Sequence, residues 1–118
     1  MSSAARFLQN QKYQSCIDAC NNCAESCELC ATECLREQDV KMLAKCVQLC
    51  HDAANICWIA SQFMSADSDY SKNVCSLCAD ICDACAEECR KHASQMEHCR
   101  LCAEACTTCA SECRKVAR

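Results

Sequence analysis

Residues 16–34 read CIDACNNCAESCELCATEC, and the cysteines in that stretch fall at Cys16, Cys20, Cys23, Cys27, Cys30 and Cys34. Alternating steps of four and three keep side chains on one stripe of an α-helix, the stripe that faces partner helices. The same steps return at Cys75, Cys78, Cys82, Cys85 and Cys89, and again at Cys99, Cys102, Cys106, Cys109 and Cys113. Between them lies a sparser row, Cys46, Cys50 and Cys57, in which Ala53 and Ala60 hold the positions where thiols would continue. Thiols thus stand where leucine, isoleucine or valine would normally build the core.

The composition agrees with helices and nothing else. In 118 residues there is neither glycine nor proline, and only 4% are aromatic. The usual turn residues, bulge glycines and helix breakers are therefore missing. The fold class is all-α, a single domain spanning 1–118 with helices at about 11–36, 40–64, 70–91 and 95–115. Asp39 is the expected N-cap of the second helix, and the polar run Ser65 to Asp69 is the clearest loop. Ser94 and Glu97 fit a capping box for the fourth helix. Arg90, Lys91, Arg114 and Lys115 suit helix C-termini. Short breaks join antiparallel neighbours, which predicts an up-down-up-down four-helix bundle with the cysteine rows converging on its axis.

Charge narrows the function. The net charge is −4 with both signs interspersed, so the basic stripe of a nucleic-acid binder is missing. No apolar stretch approaches a membrane span. Residues Met1 to Ser15 lack the apolar run and small-residue cleavage site of a signal peptide, which predicts a cytosolic protein with reduced thiols. The odd count of 19 cysteines argues against a disulfide framework. So does helical spacing: Cβ atoms at i and i+4 lie about 5–6 Å apart, beyond the roughly 3.5–4.5 Å of a disulfide.

Cysteine buries less apolar surface than leucine, so a core of thiols is a poor route to stability alone. Soft thiolates instead select Cu(I), Zn(II) or iron–sulfur clusters. Eight pairs stand at i, i+4: Cys16/Cys20, Cys23/Cys27, Cys30/Cys34, Cys46/Cys50, Cys78/Cys82, Cys85/Cys89, Cys102/Cys106 and Cys109/Cys113. With metal–sulfur bonds near the zinc value of about 2.3 Å, linear coordination needs sulfurs about 4.6 Å apart, within reach on one helix turn. Charge favours a monovalent ion. One Cu(I) per thiolate leaves a nearly neutral interior, whereas zinc on four thiolates leaves negative charge that no inward basic residue offsets. Multiple Cu(I) ions per chain, on the order of one per cysteine, are therefore expected. Cluster motifs for iron–sulfur centres use other spacings, and a thioredoxin-like role needs a βαβ context that is missing.

The two ends of the tube differ. At the end holding the first and third turns, the rows run on into His92, Met96 and either Met42 or Leu43, with His98 beside Met96. These four histidines and methionines, His92, Met96, His98 and Met42, are candidate ligands of an uptake mouth. At the other end the rows reach Tyr13, Ala60, Met64 and Val116, with Phe7, Trp58, Phe63 and Tyr70 nearby, suggesting an apolar plug in which Met64 is core. His51 follows Cys50 on a flanking face and reads as a surface or interface residue. The second helix also carries Val40, Leu43, Val47, Leu49, Ile56 and Ile59, more aliphatics than one axis can take, which points to a subunit interface.

The rows Cys16-x3-Cys20-x2-Cys23-x3-Cys27-x2-Cys30-x3-Cys34, with their counterparts on the third and fourth helices, resemble the bacterial copper storage proteins, in particular the cytosolic branch. The likeness covers nearly the whole chain. It implies a homotetramer of four-helix bundles filled with Cu(I), and a mouth at His92, Met96 and His98, with Met42 less closely matched. The alanines at Ala53 and Ala60 imply fewer metal positions beside the second helix. No nucleophile–base pair suggests an enzyme. Two other readings stay open: a general thiolate sink for Zn(II) or Cd(II), and a structural or redox-responsive thiol bundle.

Overall fold

The computed structural model describes residues 11–118. Among them are four long α-helices and no strand: α1 (Gln14–Leu35), α2 (Ala44–Ser65), α3 (Ser71–Arg90) and α4 (Glu97–Ala117). Short 3-10 turns at Gln11–Tyr13 and Lys41–Leu43 lead into α1 and α2. Each helix packs on its sequence neighbour, and α1 against α4 closes the ring, giving an antiparallel four-helix bundle.

All nineteen cysteines are buried, and all are free thiols. They share the interior with a second, smaller set of side chains. Ala24, Ala31, Ala79, Ala86, Ala103 and Ala110 each follow a row cysteine and are buried beside it. They recur every seven residues on α1, α3 and α4. A methyl group on that flank lets neighbouring helices approach closely, so the thiols can meet across the axis. Among the described residues, the only larger side chains buried as completely are Leu43, just before α2, and Met64, near its end.

Without glycine, the turns rely on other devices. After α2, Asp67 adopts φ 51°, the left-handed position normally taken by glycine. Its N–H bonds Met64 O at 3.1 Å and the next N–H, from Ser68, bonds Phe63 O at 3.0 Å. This pair of bonds is a Schellman motif closing the helix. In the turn leading to α3, Ser68 Oγ accepts from the Tyr70 N–H at 3.1 Å. The buried Ser71 hydroxyl ties the turn by donating to Phe63 O and Ser68 O.

Two expected caps do not form. Ser94 lies exposed in a turn, and α4 begins at Glu97 with Met96 in extended conformation at the cap position. The Met96 N–H bonds His92 O at 3.0 Å, so the chain stays folded back one turn longer than the capping box requires. Glu97 instead pairs with Arg100. Asp39 caps nothing; Val40 precedes the 3-10 turn without a side-chain bond, and the α-helix opens only at Ala44.

The expected plug is also different. Tyr70 is 67% exposed and Trp58 lies on the flank, its indole N–H donating to Glu28 across α1 and α2 at 3.4 Å. Phe7 lies outside the described residues. Tyr13 and Val116 do pack against the core from that end, where Met64 is fully buried.

Ala53 sits with no exposure in the α2 row between Cys50 and Cys57. Ala53→Leu should therefore overpack the axis and destabilise the metal-free protein by about 1–3 kcal/mol. Urea unfolding under reducing conditions measures this directly.

Candidate metal centre

The sulfurs meet both along helices and across them. Within helices, Cys23 and Cys27, Cys30 and Cys34, Cys78 and Cys82, and Cys109 and Cys113 stand at 3.9 Å. Cys85 and Cys89, and Cys102 and Cys106, stand at 4.0 Å. The shortest contacts run between helices. Cys23 and Cys27 on α1 both reach Cys106 on α4 at 3.5 Å, and Cys46 on α2 reaches Cys89 on α3 at 3.5 Å.

Linked end to end, these contacts form one chain of sulfur. From Cys16 it passes through Cys113, Cys20 and Cys109 to Cys57. Cys82 then leads to Cys23, Cys106 and Cys27. Cys102 and Cys50 carry it to Cys89 and Cys46. No step exceeds 4.0 Å, and the path uses all four helices.

Groups of four thiols converge at intervals along this path. Cys20, Cys78, Cys109 and Cys113 form one such group, and Cys23, Cys57, Cys82 and Cys109 form another with one thiol from each helix. Cys27, Cys85, Cys102 and Cys106 lie further along, followed by Cys30, Cys46, Cys50 and Cys89. Within each group every sulfur is within 4.8 Å of the others, close to the roughly 4.6 Å that two metal–sulfur bonds of about 2.3 Å can span.

Burial shapes the acidity of these thiols. It pushes Cys34 up to about 11, with the Cys46 charge adding to the effect. Cys20 moves the other way, to about 2, because Cys109 and Cys113 lie at 3.6 Å and donate S–H to its thiolate. The demand of Cys109, Cys16 and Cys20 in turn pushes Cys113 up. The core thus shares protons among thiols, with no buried lysine or arginine among the described residues to hold extra negative charge.

At the end expected to form the mouth, His98 lies against the thiols. Its Nδ1 lies 3.6 Å from Cys30 Sγ, 3.8 Å from Cys34 Sγ and 3.6 Å from Cys99 Sγ. Its other nitrogen, Nε2, bonds Glu37 Oε1 at 3.3 Å. With the Nε2 proton directed to Glu37, the Nδ1 lone pair faces the three thiols. Cys30, Cys34, Cys46 and Cys99 form the thiol group beneath it.

The other mouth residues are placed differently. His92 is buried, but its Nε2 lies on Glu88 Oε2 at 3.2 Å. Burial opposes the Glu88 carboxylate, yet the bonds from His92 and Lys91 outweigh it and hold its pKa below the usual value. Met96 is half-buried against the core, and Met42 is 46% exposed. Register alone favours His92 over His98, but α3 ends at Arg90, so the helical stripe does not carry through to residue 92. Glu37 and Glu88 were not singled out by the sequence reading. The i, i+4 spacing of Glu88 and His92 was a readable signal; the meeting of Glu37 with His98 needs the two turns side by side. His51 is exposed, on the flank expected for it.

Comparison with known proteins places this architecture. The copper storage protein family matches residues 9–118. The cysteine-rich protein YhjQ of Bacillus subtilis (strain 168) is 45% identical over 82 residues, covering 70% of this chain and 76% of that protein. The Cu(I)-bound copper storage protein BsCsp3 of Bacillus subtilis has a TM-score of 0.84 at 45% identity, over 89% of this chain and 97% of its own. A cytosolic copper storage protein from Streptomyces lividans with five coppers has a TM-score of 0.88 at 36% identity, over 93% and 95%. A match that spans every helix of the bundle makes this chain a member of the copper storage protein family.

Proposed function

We propose that this protein stores Cu(I), many ions per chain, on thiolates inside the bundle, and so buffers and detoxifies copper. The observation that carries the reading is the unbroken sulfur path through a core that contains no buried lysine or arginine among the described residues. Only a monovalent soft ion lets that many thiolates ionise without leaving net charge in low dielectric. Zinc on the same four-sulfur groups would leave each strongly negative.

The nineteen cysteines are the ligands in this reading, and the protein acts as a reservoir with no catalytic step. His98 is the first ligand at the mouth, oriented by Glu37, with Met96 and Met42 as softer flanking sulfurs. His92, held by Glu88, shapes the same end. The cytosol is the compartment that suits free thiols, and it is where the Streptomyces relative works by name. No described helix is long and apolar enough to cross a membrane.

Anaerobic titration with Cu(I) against a competing chelator tests the store. Uptake should reach on the order of one ion per cysteine, and zinc should not displace it. Because groups such as Cys34 hold their protons at neutral pH, loading should acidify a weakly buffered solution and weaken as pH falls. Saturation after a few ions, or exchange by zinc, would return the protein to the class of general thiolate sinks.

Loading kinetics test the mouth. His98→Ala should slow Cu(I) uptake several-fold while leaving final capacity nearly unchanged, and His92→Ala should slow it less. A His98→Ala rate equal to wild type would remove His98 from the uptake path.

The exposed apolar residues Leu29 and Leu35 on α1 and Val40 and Ile59 near or on α2 support a homo-oligomer, and the tetramer implied by family resemblance is the expected form. Analytical ultracentrifugation of the reduced protein should give about four times the 13.0 kDa chain mass; a monomer would refute it.

A further inference from the structure

The end of the bundle opposite the histidines is closed by a layer to which each helix contributes one sulfur. Cys16 comes from α1, Cys75 from α3 and Cys113 from α4, all buried. The α2 contribution is not a thiol. Following the row Cys46, Cys50, Ala53, Cys57 and Ala60, the next position in the same register is Met64. Its side chain has no exposure, and its Sδ lies 3.6 Å from Cys75 Sγ.

The two ends of that row show that the choice of sulfur has chemical content. At the histidine end the corresponding register position is Leu43, equally buried and purely hydrocarbon. At the far end the side chain has similar bulk but carries a soft thioether turned onto a thiol. Sulfurs around a three-coordinate ion with bonds of about 2.3 Å lie about 4.0 Å apart. The Met64–Cys75 separation is close to that value without any rearrangement. Cys16 is 3.6 Å from Cys113 in the same layer, and both are thiols that act directly on Cys75.

We infer that Met64 is a metal ligand: its thioether, together with Cys75 and a thiol of the Cys16–Cys113 pair, completes a terminal Cu(I) site at the end remote from His98. A thioether suits this position chemically. It binds Cu(I) as a neutral donor, so it adds coordination without adding charge or a proton to be expelled. Three thiols and one thioether then close the layer at lower charge than four thiolates would carry.

The inference rests on the Cu(I) storage reading, and the experiment separates the two. Protein labelled with 13C at the methionine methyls is titrated anaerobically with Cu(I), the Met64 resonance being assigned from the Met64→Leu spectrum. The Met64 methyl should shift as copper fills the far end. Met64→Leu should lose about one Cu(I) equivalent per chain at high chelator competition, and Met64→Cys should keep it. An unshifted Met64 methyl in wild-type protein that takes up many Cu(I) ions overturns the inference and leaves storage intact. If Met64→Leu does not fold, the Met64 resonance is assigned by elimination from Met42→Leu, Met96→Leu and Met1, and its response in wild-type protein decides. Failure of the wild-type protein to take up Cu(I) overturns storage and this inference together.

Discussion

Everything in this bundle depends on how closely two thiols on different helices can approach. A core of leucine keeps helix axes apart by the bulk of the side chains, and contacts are made by methyl groups. Here the heptad-spaced alanines, such as Ala24, Ala79 and Ala103, let the helices close in until sulfur touches sulfur. Cys23 to Cys106 and Cys46 to Cys89, both at 3.5 Å, are the outcome. Little hydrocarbon is buried in return, so regular helices and short turns must carry more of the stability than usual. The chain supplies them without a single glycine or proline, using Asp67 in the left-handed position where one was needed.

The legible part of the fold was the part written in period. Four-and-three spacing of the cysteines predicted helices, and the rows predicted which face each turns inward; every row cysteine is buried. What spacing does not carry is the relative rotation and height of the helices. The sequence reading therefore paired thiols along single helices, whereas the shortest contacts run across the bundle. The same gap explains the mouth. His92 continues the α3 row on paper, but the helix has ended, and its imidazole turns to Glu88. His98, only one residue before Cys99, is brought over the thiols of α1 because the first and third turns lie side by side.

The far end shows the opposite failure, in which a correct position concealed the chemistry. Met64 was expected in the core and is fully buried there. Hydrophobic burial alone accounts for a methionine at the end of a row, and it also accounts for Leu43 at the other end of α2. Only the contact of Sδ with the Cys75 thiol separates the two. Aromatic residues misled in the reverse sense: Tyr70 lies near the plug in sequence, yet the Schellman turn after α2 points it into solvent.

The unbroken sulfur path has a dynamic consequence. A soft ion bound by two or three sulfurs can move by associative exchange, gaining the next thiolate before releasing the last. Because neighbouring sulfurs are at most 4.0 Å apart along the path from Cys46 to Cys16, no hop requires a bare ion to cross hydrocarbon. With His98 over one end and Met64 closing the other, such hopping is effectively one-dimensional. Under the proposed entry at His98, the core would behave as a queue, in which ions arriving first migrate deepest and are the last to leave.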